Sequence, residues 1–89
     1  MITAVNGAVS ALIRTLASEL APVRFNAVHP GLVGDSRRWV GQDTNAAVSR
    51  TPIGRLVSMG EVTDAVVFLL DNGGVNGVNL AVDGGWLLR

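Results

Sequence analysis

SMGEVTDAVVFLLDNGGVNGVNLAVDGG, residues 58–85, contains a helix, both of its boundaries and the strand that follows it. Ser58 followed three residues later by Glu61 has capping-box spacing: the hydroxyl accepts from the third helical amide and the carboxylate reaches back to the cap amide. Val62, Ala65, Val66, Leu69 and Leu70 then recur at intervals of three and four and form one apolar helical face. Asn72-Gly73-Gly74 closes that helix, because glycine and asparagine tolerate the backbone that ends it. Gly77 opens a strand, VNLAV, Val78–Val82, and the turn chemistry of Asp83-Gly84-Gly85 ends it before an apolar tail of Trp86, Leu87 and Leu88.

Upstream, VRFNAVH, Val23–His29, is short, β-branched and aromatic and stops at Pro30-Gly31, which predicts a second strand. Before it, Ile2, Val5, Val9, Leu12, Ile13, Leu16 and Leu20 repeat with helical period, while Asn6, Ser10, Arg14 and Ser18 ride the opposite stripe. Ala4, Gly7, Ala8 and Ala11 add a flank of small residues where another helix backbone has room to approach, or simply reflect the helix propensity of alanine. Pro22 ends the helix. Residues 34–54 read as a loop in which only Asn45–Arg50 can form a helical turn. The order is therefore helix, strand, loop, helix, strand in one domain, residues 1–89. Two strands joined through a helix lie parallel. A sheet of two parallel strands leaves both edges unpaired and encloses little core, so the expectation is completion by another chain, as a homodimer or higher homo-oligomer.

Composition narrows the function. Apolar residues make up 48% and charged residues 16% of the chain, more apolar surface than a chain this short hides in its own core. The net charge is zero, which leaves no field to gather phosphates or anionic lipid and argues against nucleic acid or a membrane as ligand. No apolar run approaches the length that spans a bilayer, and the first residues do not read as a targeting segment, so a soluble, cytoplasmic protein is expected. Cysteine is absent and histidine occurs once, which excludes thiolate chemistry and makes a metal site unexpected. Tyrosine and lysine are also absent.

NGAVSALIRTLASELAPVRFNAVHPGLV, then PIGRLVSMGEVTDAVVFLL, then GVNLAVDGGW, in this order and spacing between Asn6 and Trp86, resemble the carboxyl-terminal half of the short-chain dehydrogenase/reductase family. The resemblance implies an α/β, partial Rossmann-like fold and a parent enzyme using NAD or NADP, with the glycine-rich phosphate cradle upstream of these residues. The isolated chain is not expected to hold that cofactor. The family's Tyr-x-x-x-Lys motif falls on Ile2 and Asn6. Asn6 is uncharged and cannot draw down a phenol pKa, so no catalytic residue is assigned. The family's threonine after the Pro-Gly turn corresponds to Asp35, whose charge repels phosphate. The resemblance leaves Pro30, Gly31 and the backbone of Val33 as a vestigial cofactor edge, against the plainer reading that Pro30-Gly31 only ends a strand.

His29 sits where sites gather in parallel sheets, but with no nucleophile or orienting acid evident it reads as a structural or solvent-facing residue. Arg37, Arg38 and Trp39 read either as an anion or stacking patch or as a solvated loop. Asp83, Gly84 and Gly85 read as a structural turn. Three functions remain open: an inert, self-associating half-domain, one half of a split oxidoreductase that works with a separate amino-terminal half, and a small-ligand or partner-binding module.

Overall fold

The structure, a computed structural model, describes the backbone of residues 2–88 and the side chains of residues 6–88. Along the chain run helix α1 (Ile2–Glu19), strand β1 (Ala27–Pro30), a 3-10 turn (Arg37–Trp39), helix α2 (Asn45–Ser49), helix α3 (Met59–Asp71), strand β2 (Asn79–Val82) and a second 3-10 turn (Trp86–Leu88). β1 and β2 pair in parallel, with Ala27 opposite Asn79 and Pro30 opposite Val82. This is the α/β order with two parallel strands that the sequence predicts. A further parallel bridge joins Val33 to Val57, with the Gly34 amide donating to the Val57 carbonyl at 2.8 Å.

β1 begins four residues later than its β-branched run suggests. Val23 N–H turns back to the Leu20 carbonyl, and side-chain bonds mix with backbone ones over the next residues. Asn26 donates through Nδ2 to the Val75 carbonyl and accepts through Oδ1 from Val78 N–H, while Phe25 N–H donates to Asn76 Oδ1. The Phe25 carbonyl does accept from Gly77 N–H at 2.8 Å, but the asparagine side chains interrupt the ladder on either side of it, and the continuous pairing starts at Ala27, whose amide donates to the Val78 carbonyl.

α3 is secured at both ends. Ser58 Oγ accepts from Glu61 N–H and Glu61 Oε1 accepts from Ser58 N–H, the capping box expected from the spacing. Asp35 Oδ1 adds a bond from Met59 N–H at 2.8 Å, so a carboxylate from the β1 side also faces the positive end of the helix dipole. At the other end the guanidinium of Arg24 covers the carbonyls that the helix leaves unpaired.

The core is small: Ala17, Val57 and Leu69 are the buried apolar residues among those described. α1 meets the sheet through Ala17, which packs against Gly77, and through Asn76 and Asn79, whose Nδ2 atoms donate to the Ala17 and Ser10 carbonyls. The apolar stripe of α1 stays largely uncovered, with Val9, Leu12 and Leu20 all exposed. Ser10, on the stripe expected to face solvent, is half-buried toward the sheet. Two strands are too narrow to cover an eighteen-residue helix. The chain exposes 6142 Å², where a compact monomer of this mass exposes about 5,000 Å². Its radius of gyration is 14.7 Å, against about 12 Å for a compact chain of this length.

Candidate functional site

At the carboxyl ends of β1 and β2 the chain opens a cleft of about 670 Å³ between α1 and the tail after β2. α1 contributes Asn6, Gly7 and Ser10, β1 and its extension contribute His29, Pro30, Gly31 and Leu32, and β2 and the tail contribute Asn79, Ala81, Asp83, Trp86 and Leu87. Open parallel sheets place their ligand crevices at this end of the strands.

Pro30 and Gly31 stand together in the cleft wall. Gly31 donates its amide to the Val82 carbonyl at 2.9 Å, and a Cβ built on it would lie 2.7 Å from Asp83 Cα. Glycine is required here because the ends of the two strands approach too closely for a side chain. The Pro30-Gly31 turn therefore carries a packing duty whether or not a ligand sits beside it. Val33 stands outside the wall, at the bridge to Val57. In a parallel bridge the bonds run through one partner's neighbours, here from Gly34 N–H, which leaves Val33 N–H outside the pairing.

His29 Nε2 lies 2.9 Å from Asn79 Oδ1. Asn79 Nδ2 donates to the Ser10 carbonyl at 3.2 Å, so the amide oxygen is what faces the imidazole and Nε2 carries the proton. One asparagine thus ties the only histidine to α1 and holds its tautomer. Sequence reasoning treated Asn79 as an ordinary strand residue. The available signal was its chemistry, since asparagine is disfavoured in strands unless its amide has a partner.

Asp83 is 8% exposed, and its two carboxylate oxygens accept from Gly85 N–H at 2.9 Å and Leu87 N–H at 3.1 Å. It shapes the turn together with Gly84 and Gly85, both at positive φ. Asn6 presents a neutral amide where the resemblance expects an ammonium, and the side chain of Ile2, the tyrosine position, lies outside the described residues. Asp35, the threonine position, is occupied with the Met59 amide. Arg38 stacks on its neighbour Trp39 at 5.1 Å, apart from the cleft, while Arg50 lies over the Trp86 ring at 5.2 Å and links the loop to the tail.

Its side chains include the amides of Asn6 and Asn79, the Ser10 hydroxyl and the apolar Leu32 and Leu87. Among the described residues lining it, the two titratable groups, His29 and Asp83, are both engaged in the bonds given above. No group of three or more metal-ligating side chains occurs among the described residues, and no helix there is long and apolar enough to cross a membrane.

The sequence profile of a family described as Enoyl-(Acyl carrier protein) reductase matches residues 1–87. An uncharacterized oxidoreductase, YmfI, of Bacillus subtilis (strain 168) is 37% identical over 86 residues, covering 90% of this chain and 36% of its own length. L-xylulose reductase of Mus musculus is 36% identical over 89 residues, covering 91% of this chain and 36% of its own. A solved small-chain dehydrogenase in complex with NADPH superposes with a TM-score of 0.78 at 34% identity, covering 97% of this chain and 42% of that one. The chain spans little more than a third of the length of the curated relatives named here.

Proposed function

The chain belongs to the short-chain dehydrogenase/reductase family, and from that premise we propose that it forms the carboxyl-terminal part of that fold, self-associates, and carries out no hydride transfer unaided. The observation that carries this reading is the cleft at the carboxyl ends of two parallel strands, whose titratable groups among the described residues, His29 and Asp83, are already engaged. Pro30 and Gly31 would shape the wall against a nicotinamide ring, and the Val33 amide would serve a carboxamide oxygen. NAD or NADP, when bound, supplies the hydride. The cleft residues of this chain would orient it. Reduction of a carbonyl also needs an acid, and the tyrosine and lysine that serve in the family do not occur in this sequence.

Self-association is supported by the surplus surface and by where it lies. Val66, Val67, Phe68 and Leu70 are exposed along α3, which packs against both strands. A second copy set against this face by a two-fold axis would bury them and join two parallel pairs into four strands. Sedimentation of the purified chain at micromolar concentration is expected to show a dimer or larger, and a well-folded monomer would refute the association. NADPH oxidation with a panel of ketones is expected to stay at the buffer rate; turnover by the purified chain would refute inertness.

A second reading is favoured by the outer edge of β1 and by the share of its relatives that the chain spans. Here a separate amino-terminal half supplies the phosphate cradle and the acid. Mixing the chain with such a polypeptide should restore NADPH binding, and failure to form a complex would remove this reading.

A further inference from the structure

Three asparagines in this chain precede glycine: Asn6, Asn72 and Asn76. An Asn-Gly pair can cyclise, because the glycine nitrogen meets no Cβ on its way to the asparagine side chain, and the three pairs sit in very different surroundings. Asn6-Gly7 lies inside α1, where the ladder of the helix takes the glycine amide. Asn76-Gly77 is clamped: Asn76 Oδ1 accepts from Phe25 N–H at 3.0 Å, its Nδ2 donates to the Ala17 carbonyl at 3.2 Å, and Gly77 N–H donates to the Phe25 carbonyl at 2.8 Å. In that pair both the attacking nitrogen and the amide under attack are held.

Asn72-Gly73 differs in its attacking nitrogen and in its leaving Nδ2, neither of which is bonded among the described residues. Asn72 is the carboxyl cap of α3, at φ −93° and ψ 96°, and the turn that follows is exposed. A Cβ on Gly73 would meet nothing within 4 Å, and the Gly73 amide makes no hydrogen bond among the described residues. Gly74 N–H donates to Asn72 Oδ1 at 3.1 Å, the oxygen on which negative charge develops when a nucleophile adds to Cγ.

We propose that Asn72 is a self-modification site that deamidates through attack of the Gly73 nitrogen. The nitrogen gives up its proton to water or hydroxide and bonds to Cγ, the Cγ–Nδ2 bond breaks, and ammonia leaves. Water then opens the resulting imide at either carbonyl, giving aspartate or isoaspartate. The sum is asparagine plus water going to the acid plus ammonia, with no redox change and no co-reactant beyond water. Both products add a negative charge beside Asp71 at the negative end of α3. Isoaspartate also lengthens the main chain by one carbon between α3 and Val75. Arg24 donates to the carbonyls of Asn72 and Val75 across that interval, so the clasp on the end of α3 loosens with age.

The test is peptide mapping by mass spectrometry of the intact chain held in mildly alkaline buffer at physiological temperature, with a parallel sample in denaturant. The folded chain is expected to convert Asn72 well ahead of Asn6 and Asn76, and Gly73→Ala to slow that conversion by at least an order of magnitude. In denaturant the three sites are expected to converge. Conversion of Asn6 or Asn76 first in the folded chain, or the same ranking folded and unfolded, would overturn the proposal.

Discussion

Arg24 Nη1 donates to the Leu69 carbonyl at 2.9 Å, which places a cation from the segment between α1 and β1 over the last turn of α3. Further bonds run to the carbonyls of Asn72, Val75 and Leu70 at 3.2, 3.1 and 3.1 Å. The flat, forked guanidinium reaches all four acceptors, whereas an ammonium is a point donor. Arg24→Met is expected to destabilise the chain by about 1.5–3 kcal/mol, the range for hydrogen bonds to a charged group. Arg24→Lys should recover less than half of that loss, and the midpoint of urea unfolding measures both.

Glu61 ties the amino end of α3 to the loop before it. Arg55 donates to Oε1 and Oε2 at 2.8 and 2.7 Å, and this pairing, followed by the bond from Ser58 N–H, lowers the Glu61 pKa from 4.5 to about 2. The folded-state value lies below the unfolded one, so the associated stability is present in full above pH 4.5 and is lost as pH falls toward about 2. Melting temperature followed by circular dichroism should drop across that window, and Glu61→Gln should flatten the drop. The pair is exposed, so added salt should shrink the contribution of Arg55 while leaving the capping box in place.

Gly31→Ala tests the close approach between the two strand ends. The new methyl carbon would sit 2.7 Å from both Asp83 Cα and Asp83 Cβ, one a backbone atom and the other bonded directly to it. The strands must part at the cleft, at an expected cost of about 1–3 kcal/mol, the range for overpacking. Amide exchange should quicken at Gly31 and Val82 before it does at Ala27.

Asn79→Leu removes the bond to the Ser10 carbonyl and leaves His29 Nε2 without its acceptor. Loss of two part-buried hydrogen bonds is expected to cost about 1–3 kcal/mol. The change should be local to α1: exchange protection around Ser10–Ser18 should fall while that of α3, held by its own caps, is retained. Equal loss in both helices would show that Asn79 acts on the whole fold.

Much of the architecture can be read from local chemistry. The Ser58–Glu61 box, the apolar face of α3, the glycines after it and the short strand after Gly77 are all decided within a few residues of one another, and the structure contains each. The sequence also places the cleft-wall residues Pro30 and Gly31 at the end of the first strand. It misplaces the start of that strand, because residues 23–26 carry strand-forming side chains but asparagine amides interrupt their pairing with the neighbouring backbone. The link from His29 through Asn79 to α1 was out of reach for the same reason: its partners are fifty and sixty-nine residues apart. The Asn72 turn is legible as a helix stop, yet only comparison of three folded environments separates it from its two sequence equivalents.

Local preference and the order of elements therefore determined the parallel pair joined through a capped helix, because propensity, capping and turn chemistry act over one or two turns of chain. The tertiary structure decided which side of α1 meets the sheet, which arginine closes α3 and how nearly the strand ends touch at Gly31. Those outcomes depend on distances between segments remote in sequence. They also depend on how much apolar surface two short strands can cover, and Val9, Leu12 and Phe68 lie beyond that reach.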